Sequence, residues 1–395
     1  MSLTKKELQT QTAFLTANPM DRVPKALKDR LNDEDLLFDV HSHVFNAQDL
    51  PDKFLSLRFD AKKITVDLVA LLVGLVDKLP FIALPDLSRL LSRIRKSEEE
   101  HLKLNLNAYG KFGYTPIFNV LMMDMSGIWN VKAKIRTVEE QMIALASFRD
   151  HHPDKILPFV ALDPRTNDNM EELFVKAFKE YNYFGVKIYP SLGYLPSHPR
   201  LMNIFDICEQ KNIPVTTHCS SGKTRASSKE IDVVWIEYEN GKQVEKNARK
   251  VFDDHKADTY KDYFNGPERW LPVLQAYPRL RLNLAHFGGE GEWEKQKKGK
   301  PNTWIPTILD ILKDNKYPNV YSDFSFTNSF KHYNHTMKDW MQQHAHVRDN
   351  ILHGTDYFLT ATERPLERTL KKFFKVFSKD EVRKMGVENV KKFLF

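Results

Sequence analysis

The sequence has only two cysteines in 395 residues, and neither sits in a CxxC spacing. Cys208 falls in an expected helix and Cys219 stands beside a histidine, so the pair supplies neither a disulfide framework nor a thiolate metal cage. A reducing, cytoplasmic setting is expected. A long apolar run free of charge is also missing. The most apolar stretch, ITVDLVALLVGLVDKLPFIAL at 64–84, contains Asp67, Asp77, Lys78 and Pro80, whereas a membrane helix takes roughly 20 residues almost without charge. The opening MSLTKKELQTQTAF has no apolar core or small-residue cleavage site, so it does not read as a secretory leader. No Gly/Ser-rich or Pro-rich tract marks a disordered linker. The net charge of +7 and a pI near 9.0 come from Lys and Arg spread among acids. Without basic blocks, stretches such as EKQKKGK at 294–300 read as solvated faces. Neither a membrane nor a nucleic acid is an expected partner.

What is present is a repeating order of apolar strand and amphipathic helix. Strand-like LLFDVHSHVF (36–45), TPIFNVLMM (115–123), ILPFVALDP (156–164), FGVKIYP (184–190), IPVTTHCSSG (213–222), RLRLNLAHFGG (279–289), NVYSDFSF (319–326) and NILHGTDYF (350–358) alternate with helical segments. Continuous apolar strands separated by helices imply a parallel sheet covered by helices, and eight such units are the count of a closed (β/α)8 TIM barrel. An open doubly wound sheet is the alternative. Against it, no GxGxxG follows the first strand, and polar residues recur at strand C-terminal ends, where a barrel keeps its active site.

The expected organisation is an N-terminal helical extension at 1–35 followed by the barrel at 36–395. Insertions interrupt it at 49–113, 222–264 and 290–303. Each leaves from the C-terminal end of a strand, which places it at the barrel mouth. A symmetric homodimer is expected only because closed dimers are the commonest assembly.

Side chains alternate along a strand, so His41 and His43 share one face. Two imidazoles on an inner barrel face can chelate one divalent cation, and neutral nitrogen donors suit zinc. Alone, HxH is a weak signal. Here His218 closes IPVTTHC, His286 closes LRLNLAHFGG and Asp356 closes ILHGTDYF, so imidazoles and a carboxylate reach one rim from different strands. Such a mixed set leaves an open position for water or substrate.

The order of HxH, Lys ending strand four, His on strand five, His-Phe-Gly-Gly on strand six and Gly-Thr-Asp on strand eight resembles the amidohydrolase superfamily of metal-dependent barrel enzymes. The segments FDVHSHV, GVKIYPSLGY, IPVTTHCSSG, LNLAHFGG and ILHGTDYF are most similar to the branch with aminocarboxymuconate semialdehyde decarboxylase, aromatic-acid decarboxylases and pyrone dicarboxylate lactonase. The resemblance implies that His41, His43, His218 and Asp356 hold one metal, with zinc expected and other divalent ions open. It makes His286 either an acid/base or, with Lys187, a ligand of a second metal. Lys187 is otherwise free to pair with a substrate carboxylate, and one metal is the favoured count.

The mechanism then expected is attack by a metal-activated water, with Asp356 taking its proton. The leading function is hydrolysis of a small, anionic, carboxylated substrate, and the alternative is nonoxidative decarboxylation on the same site. Arg165 in LDPR can fork onto a carboxylate, and Tyr189 can line the mouth. His353 has the opposite strand parity from Asp356 and should face the helices. Cys219 lacks a partner base, and FSF around Ser325 is no nucleophile elbow. A metal-dependent nuclease is disfavoured, since the mid-chain strand ends carry Pro164 and Lys187 where a glutamate ligand belongs. A noncatalytic barrel should have lost a ligand, and here the set is complete.

Overall fold

The computed structural model describes residues 3–44, 49, 92–93, 96–124, 136–165, 169–221, 230–252 and 262–395. The apolar run 64–84 and most of the first insertion lie outside the described residues, as do 222–229 and 253–261 of the second. Ten strands are described: β1 (Leu36–Ser42), β2 (Thr115–Leu121), β3 (Ile156–Ala161), β4 (Gly185–Ile188), β5 (Val215–Ser220), β6 (Glu230–Glu239), β7 (Lys242–Val251), β8 (Leu282–Gly288), β9 (Val320–Asp323) and β10 (Ile351–Leu352). Eight of them form one sheet in the order β1-β2-β3-β4-β5-β8-β9-β10, with every pairing parallel. Each of the eight expected segments supplies one strand. Every residue of β1 and β8 is buried, because barrel strands face a packed interior on one side and helices on the other.

Helices fill the outside. Thr137 and Glu140 form a capping box at the start of Val138–His151, and Ser97 with Glu100 does the same for Glu98–Gly110, satisfying N–H groups that a helix start leaves open. In Leu366–Val376 the buried residues Leu366, Leu370, Phe373 and Val376 recur at helical spacing, which lays one apolar stripe on the barrel. No described helix is long and apolar enough to cross a membrane.

The second insertion contains an antiparallel hairpin, β6 with β7. Its turn is Asn240-Gly241 with φ of 52° and 75°, the left-handed pair that a tight hairpin with right-handed strand twist requires. The hairpin is tied to the barrel where the Ile236 N–H donates to the Ser197 carbonyl at 2.8 Å, and where Val233 packs with Leu195 and Phe264.

The barrel closes at a seam where β10 has only two residues in the ladder. Three backbone bonds join it to β1: the Val40 N–H to the His353 carbonyl (3.0 Å), the Asp356 N–H to the His41 carbonyl (2.7 Å) and the His43 N–H to the Tyr357 carbonyl (3.1 Å). A side chain extends the stitching. Buried Asp39 accepts from the Thr355 N–H (3.0 Å), Thr355 Oγ1 (2.6 Å), the His41 N–H (3.2 Å) and Tyr109 Oη (2.9 Å). Burial pushes the Asp39 carboxyl up to about 7 even with hydrogen bonds from Thr355, Tyr109 and His41 pulling it down. Because the Tyr109 hydrogen goes to Asp39, its oxygen accepts from His353 Nε2, 2.9 Å away. His353 does face the helical shell, its ring centroid 4.7 Å from that of Phe373.

Tyr109→Phe should therefore leave a buried His353 N–H without an acceptor and Asp39 short of a donor, at about 1–3 kcal/mol. Denaturant unfolding should show the midpoint lowered at constant m; an unchanged midpoint would mean that the network does not hold the seam.

Candidate active site

The strand ends deliver the site. His41 lies on β1 and His43 just beyond it, Lys187 on β4, His218 on β5, His286 on β8, Asp323 at the last position of β9, and Asp356 four residues past β10. The β1 register against β2 shifts between Asp39 and Ser42, and a bulge of this kind re-aims the side chains that follow it. His41, His43, Lys187, His286, Asp323 and Asp356 are each buried to 3% exposure or less.

Hydrogen placement follows from the partners. His43 Nδ1 is 2.8 Å from the Leu121 carbonyl, which can only accept, so the neutral ring carries its lone pair on Nε2. That Nε2 is 3.3 Å from Asp356 Oδ1. His41 Nδ1 meets Asp323 Oδ2 at 3.2 Å and Ser325 Oγ at 3.0 Å, which again leaves the lone pair on Nε2, 3.7 Å from Asp356 Oδ1. Burial, with help from Lys187, lowers His41 to about 3 and keeps the ring neutral. Among the described residues, His41 Nε2, Asp356 Oδ1 and Lys187 Nζ are buried without a hydrogen-bond partner. Burial lowers Lys187 to about 8 while Asp356 and Asp323 pull it back up.

Lone pairs thus face each other across the His41, His43 and Asp356 cluster. Two donors held about 2.1 Å from one ion at the tetrahedral angle lie about 3.4 Å apart, a spacing that the 3.3 and 3.7 Å contacts bracket. The donor set fits a divalent cation. Among the described residues a second close group joins His41, His286 and Asp323.

His218 is not brought into the first cluster. Its Nδ1 is 2.9 Å from His286 Nε2, and its Nε2 is 3.0 Å from Ser220 Oγ. His286 Nδ1 is 2.9 Å from Ser325 Oγ and 3.2 Å from the Ser325 carbonyl, so it bears the hydrogen and Nε2 accepts from His218. Burial lowers His286 as well. The Tyr189 ring meets the His218 ring edge-on, with centroids 4.5 Å apart.

Arg165 corrects the expectation of a substrate fork. Its Nε and Nη2 hold the Asp163 carboxylate at 3.0 and 2.7 Å, and Nη1 donates to the Leu192 carbonyl at 2.6 Å. The guanidinium clamps its own loop. Asp356, at the same rim, is buried.

Asp323 and Ser325 were not foreseen as site residues. Asp323 ends a strand, as Asp356 nearly does, and that position is its signal in the sequence; Ser325 carries no motif that marks it. Cys219 is buried, and burial raises its thiol well above the ordinary value, in accord with the reading that it is no nucleophile.

The fold has known relatives. A structure of 5-carboxyvanillate decarboxylase from Novosphingobium aromaticivorans, with bound manganese and 3-methoxy-4-hydroxy-5-nitrobenzoic acid, superposes with a TM-score of 0.57 at 13% identity, covering 92% of this chain and 98% of that one. One of 2,6-dihydroxybenzoate decarboxylase with 2,6-dihydroxybenzoate gives 0.53 at 13% identity over 91% and 98%. A dihydroxybenzoic acid decarboxylase from Polaromonas, with manganese and 2-nitroresorcinol, gives 0.50 at 13% over 91% and 96%. At these identities the likeness speaks for the barrel fold. No curated protein sequence matches the chain. The sequence profile of the amidohydrolase family matches residues 120–395. That is more than half of the chain, and the chain belongs to the amidohydrolase family.

Proposed function

We propose that this protein is a metal-dependent nonoxidative decarboxylase acting on a small carboxylated aromatic compound. The observation that carries the metal part is the convergence of His41 Nε2, His43 Nε2 and Asp356 Oδ1 at the spacing of ligands around one ion. The reaction class rests on the relatives of like fold, whose names describe decarboxylases of ring carboxylates. They favour decarboxylation over the hydrolysis that the sequence reading put first.

His41, His43 and Asp356 would hold the ion; His218, which the family resemblance makes a fourth ligand, would join them only by giving up its Ser220 contact. When bound, the metal supplies a Lewis acid that draws electron density from a substrate oxygen. Nitrogen and carboxylate donors accept zinc or manganese. The chain's own groups do the rest. Lys187 Nζ, buried and unpartnered, pairs with the substrate carboxylate and is relieved of its isolation in doing so. A hydroxyl proton of the substrate passes to His286 Nε2 and from there to the ring carbon bearing the carboxylate; the bond to the carboxyl carbon then breaks with its electron pair restoring the ring, and carbon dioxide leaves. His286 keeps its own hydrogen at Nδ1 against Ser325, so Nε2 is the nitrogen that exchanges a proton. Its partner is His218 Nδ1 at 2.9 Å, backed by Ser220 on the far nitrogen. Burial of the site excludes water, which strengthens each of these charge interactions.

Elemental analysis of the purified protein should give about one divalent ion per chain, lost in His41→Ala and kept in Lys187→Ala. No metal in the wild type would end this reading, and two ions with one lost in Lys187→Ala would indicate a lysine-bridged pair instead. A panel of hydroxylated benzoates and carboxyvanillates should release carbon dioxide, and in deuterated water the ring should gain one deuterium where the carboxylate stood. Turnover confined to lactones or amides would reinstate hydrolysis. With a substrate in hand, Lys187→Met should raise KM about 10- to 100-fold, the loss of one charge-assisted bond of roughly 1.5–3 kcal/mol; an unchanged KM would remove Lys187 from substrate binding.

A further inference from the structure

We propose that Asp323 is a positioning residue that fixes the His41 hydrogen on Nδ1, so that Nε2 is presented as a donor, and that it is not itself a metal ligand. The inference rests on the metal reading above for its consequence, though not for its geometry. Asp323 is fully buried and its two oxygens are saturated by donors. Oδ2 accepts from Asn283 Nδ2 at 2.7 Å and from His41 Nδ1 at 3.2 Å. Oδ1 accepts from the His286 N–H at 3.1 Å, the Ser325 N–H at 3.0 Å and the Ser325 hydroxyl.

The contrast with Asp356 is one of hydrogen supply. Asp356 Oδ1 has no donor, while no oxygen of Asp323 lacks one. An ion between His41, His286 and Asp323 would have to displace the Ser325 hydroxyl and turn the His41 ring around, because the nitrogen facing Asp323 is the one bearing hydrogen. Ser325 extends the same control. Its single hydroxyl hydrogen goes to Asp323, so its oxygen can only accept from His286 Nδ1 at 2.9 Å. A second acceptor at that nitrogen is the Ser325 carbonyl.

Replacing Asp323 by asparagine gives a sharp outcome. The side-chain NH2 must face either the two backbone N–H groups or His41 and Asn283. The backbone donors cannot change, so the amide oxygen stays with them and the NH2 meets His41. Asn283 answers by turning its amide oxygen, which has no partner among the described residues, toward the new NH2; His41, left with the Ser325 oxygen as its one acceptor on that side, answers by moving its hydrogen to Nε2, which turns its donor lone pair away from the cation cluster. Removing a carboxylate that orients a ligand histidine costs about 10- to 100-fold in metal affinity.

The test is nitrogen-15 NMR of histidine-labelled, metal-free, full-length protein near neutral pH, with Mn2+ titrated separately. Wild type should show hydrogen on Nδ1 and a bare Nε2 at His41 and His286. Asp323→Asn should move the His41 hydrogen to Nε2 and weaken Mn2+ binding about 10- to 100-fold. Ser325→Ala should leave the His41 hydrogen on Nδ1, since the Asp323 carboxylate still accepts it. A wild-type His41 protonated on Nε2, an Asp323→Asn variant with unchanged tautomer and Mn2+ affinity, or a second Mn2+ lost in that variant would each overturn the assignment. Should Asp323→Asn fail to fold, the wild-type tautomers and Ser325→Ala still decide, because a His41 hydrogen that moves in Ser325→Ala would transfer the role to Ser325. A wild type with the stated tautomers and no Mn2+ binding would support the positioning geometry and sink the metal reading.

Discussion

The bond from the Asp356 N–H to the His41 carbonyl, 2.7 Å long, is the contact on which the site depends. It joins residues from the first and last strands of the barrel and carries both toward the same cation cluster. A parallel barrel must close to bring such ends together, yet here the closing strand contributes only two ladder residues. The shortfall is made up by side chains. Asp39 takes two donors from Thr355 on one side of the seam and the His41 N–H on the other, so a carboxylate does part of the work of a strand. Tyr109 then fastens the helix Glu98–Gly110 across the join. Site geometry and barrel closure are one problem in this protein.

Three buried aspartates share that small volume and differ in one countable respect. Burying an ionised carboxylate is costly unless hydrogen bonds or charges replace its water. Asp39 and Asp323 have their water replaced by N–H and O–H donors, and each oxygen has at least one. Among the described residues Asp356 keeps one oxygen with none, and that oxygen faces the bare nitrogens of His41 and His43. A saturated carboxylate has little capacity left for chemistry and serves to orient its donors. An unsaturated one retains capacity to bind. The same distinction separates Lys187, whose ammonium finds no hydrogen-bond partner among the described residues, from Arg165, whose fork is filled by Asp163.

Much of this was legible in the sequence. Strand after strand was marked by continuous apolar residues and a polar C-terminal end, and period-two alternation placed His41 and His43 on one face and turned His353 outward. Other features were written locally but not read. The hairpin at 230–251 carries Asn-Gly between alternating strands, a strong turn signal that was obscured by its dense charge. Asp323 could not be distinguished from any acid near a strand end, because its role is set by Asn283, His41 and Ser325, which only folding assembles. Arg165 was misjudged for a related reason. A guanidinium suits a substrate carboxylate and the aspartate two residues before it equally well, and the nearer partner loses less chain entropy on pairing. His218 shows the limit of order along the chain, which put it at the right rim but not within the cluster.

The backbone leaving the strands explains why these side chains can point inward at all. His286, Phe287, Phe326, Asp356 and Phe358 have φ between 45° and 88°, a left-handed conformation that costs a non-glycine residue of order 1–3 kcal/mol where the surroundings enforce it. Glycine would relax each turn, as Gly288 and Gly289 do immediately after His286 and Phe287. At His286 and Asp356, however, a glycine would delete the imidazole or carboxylate that the turn exists to aim. The strained residues are held by the site's own hydrogen bonds: the His286 N–H by Asp323 at 3.1 Å and the Asp356 N–H by His41 at 2.7 Å. Strain and chemistry are thus coupled through the same few atoms, since the acceptor that restrains the His286 backbone also orients His41, and the carbonyl that restrains Asp356 belongs to the histidine whose Nε2 it faces.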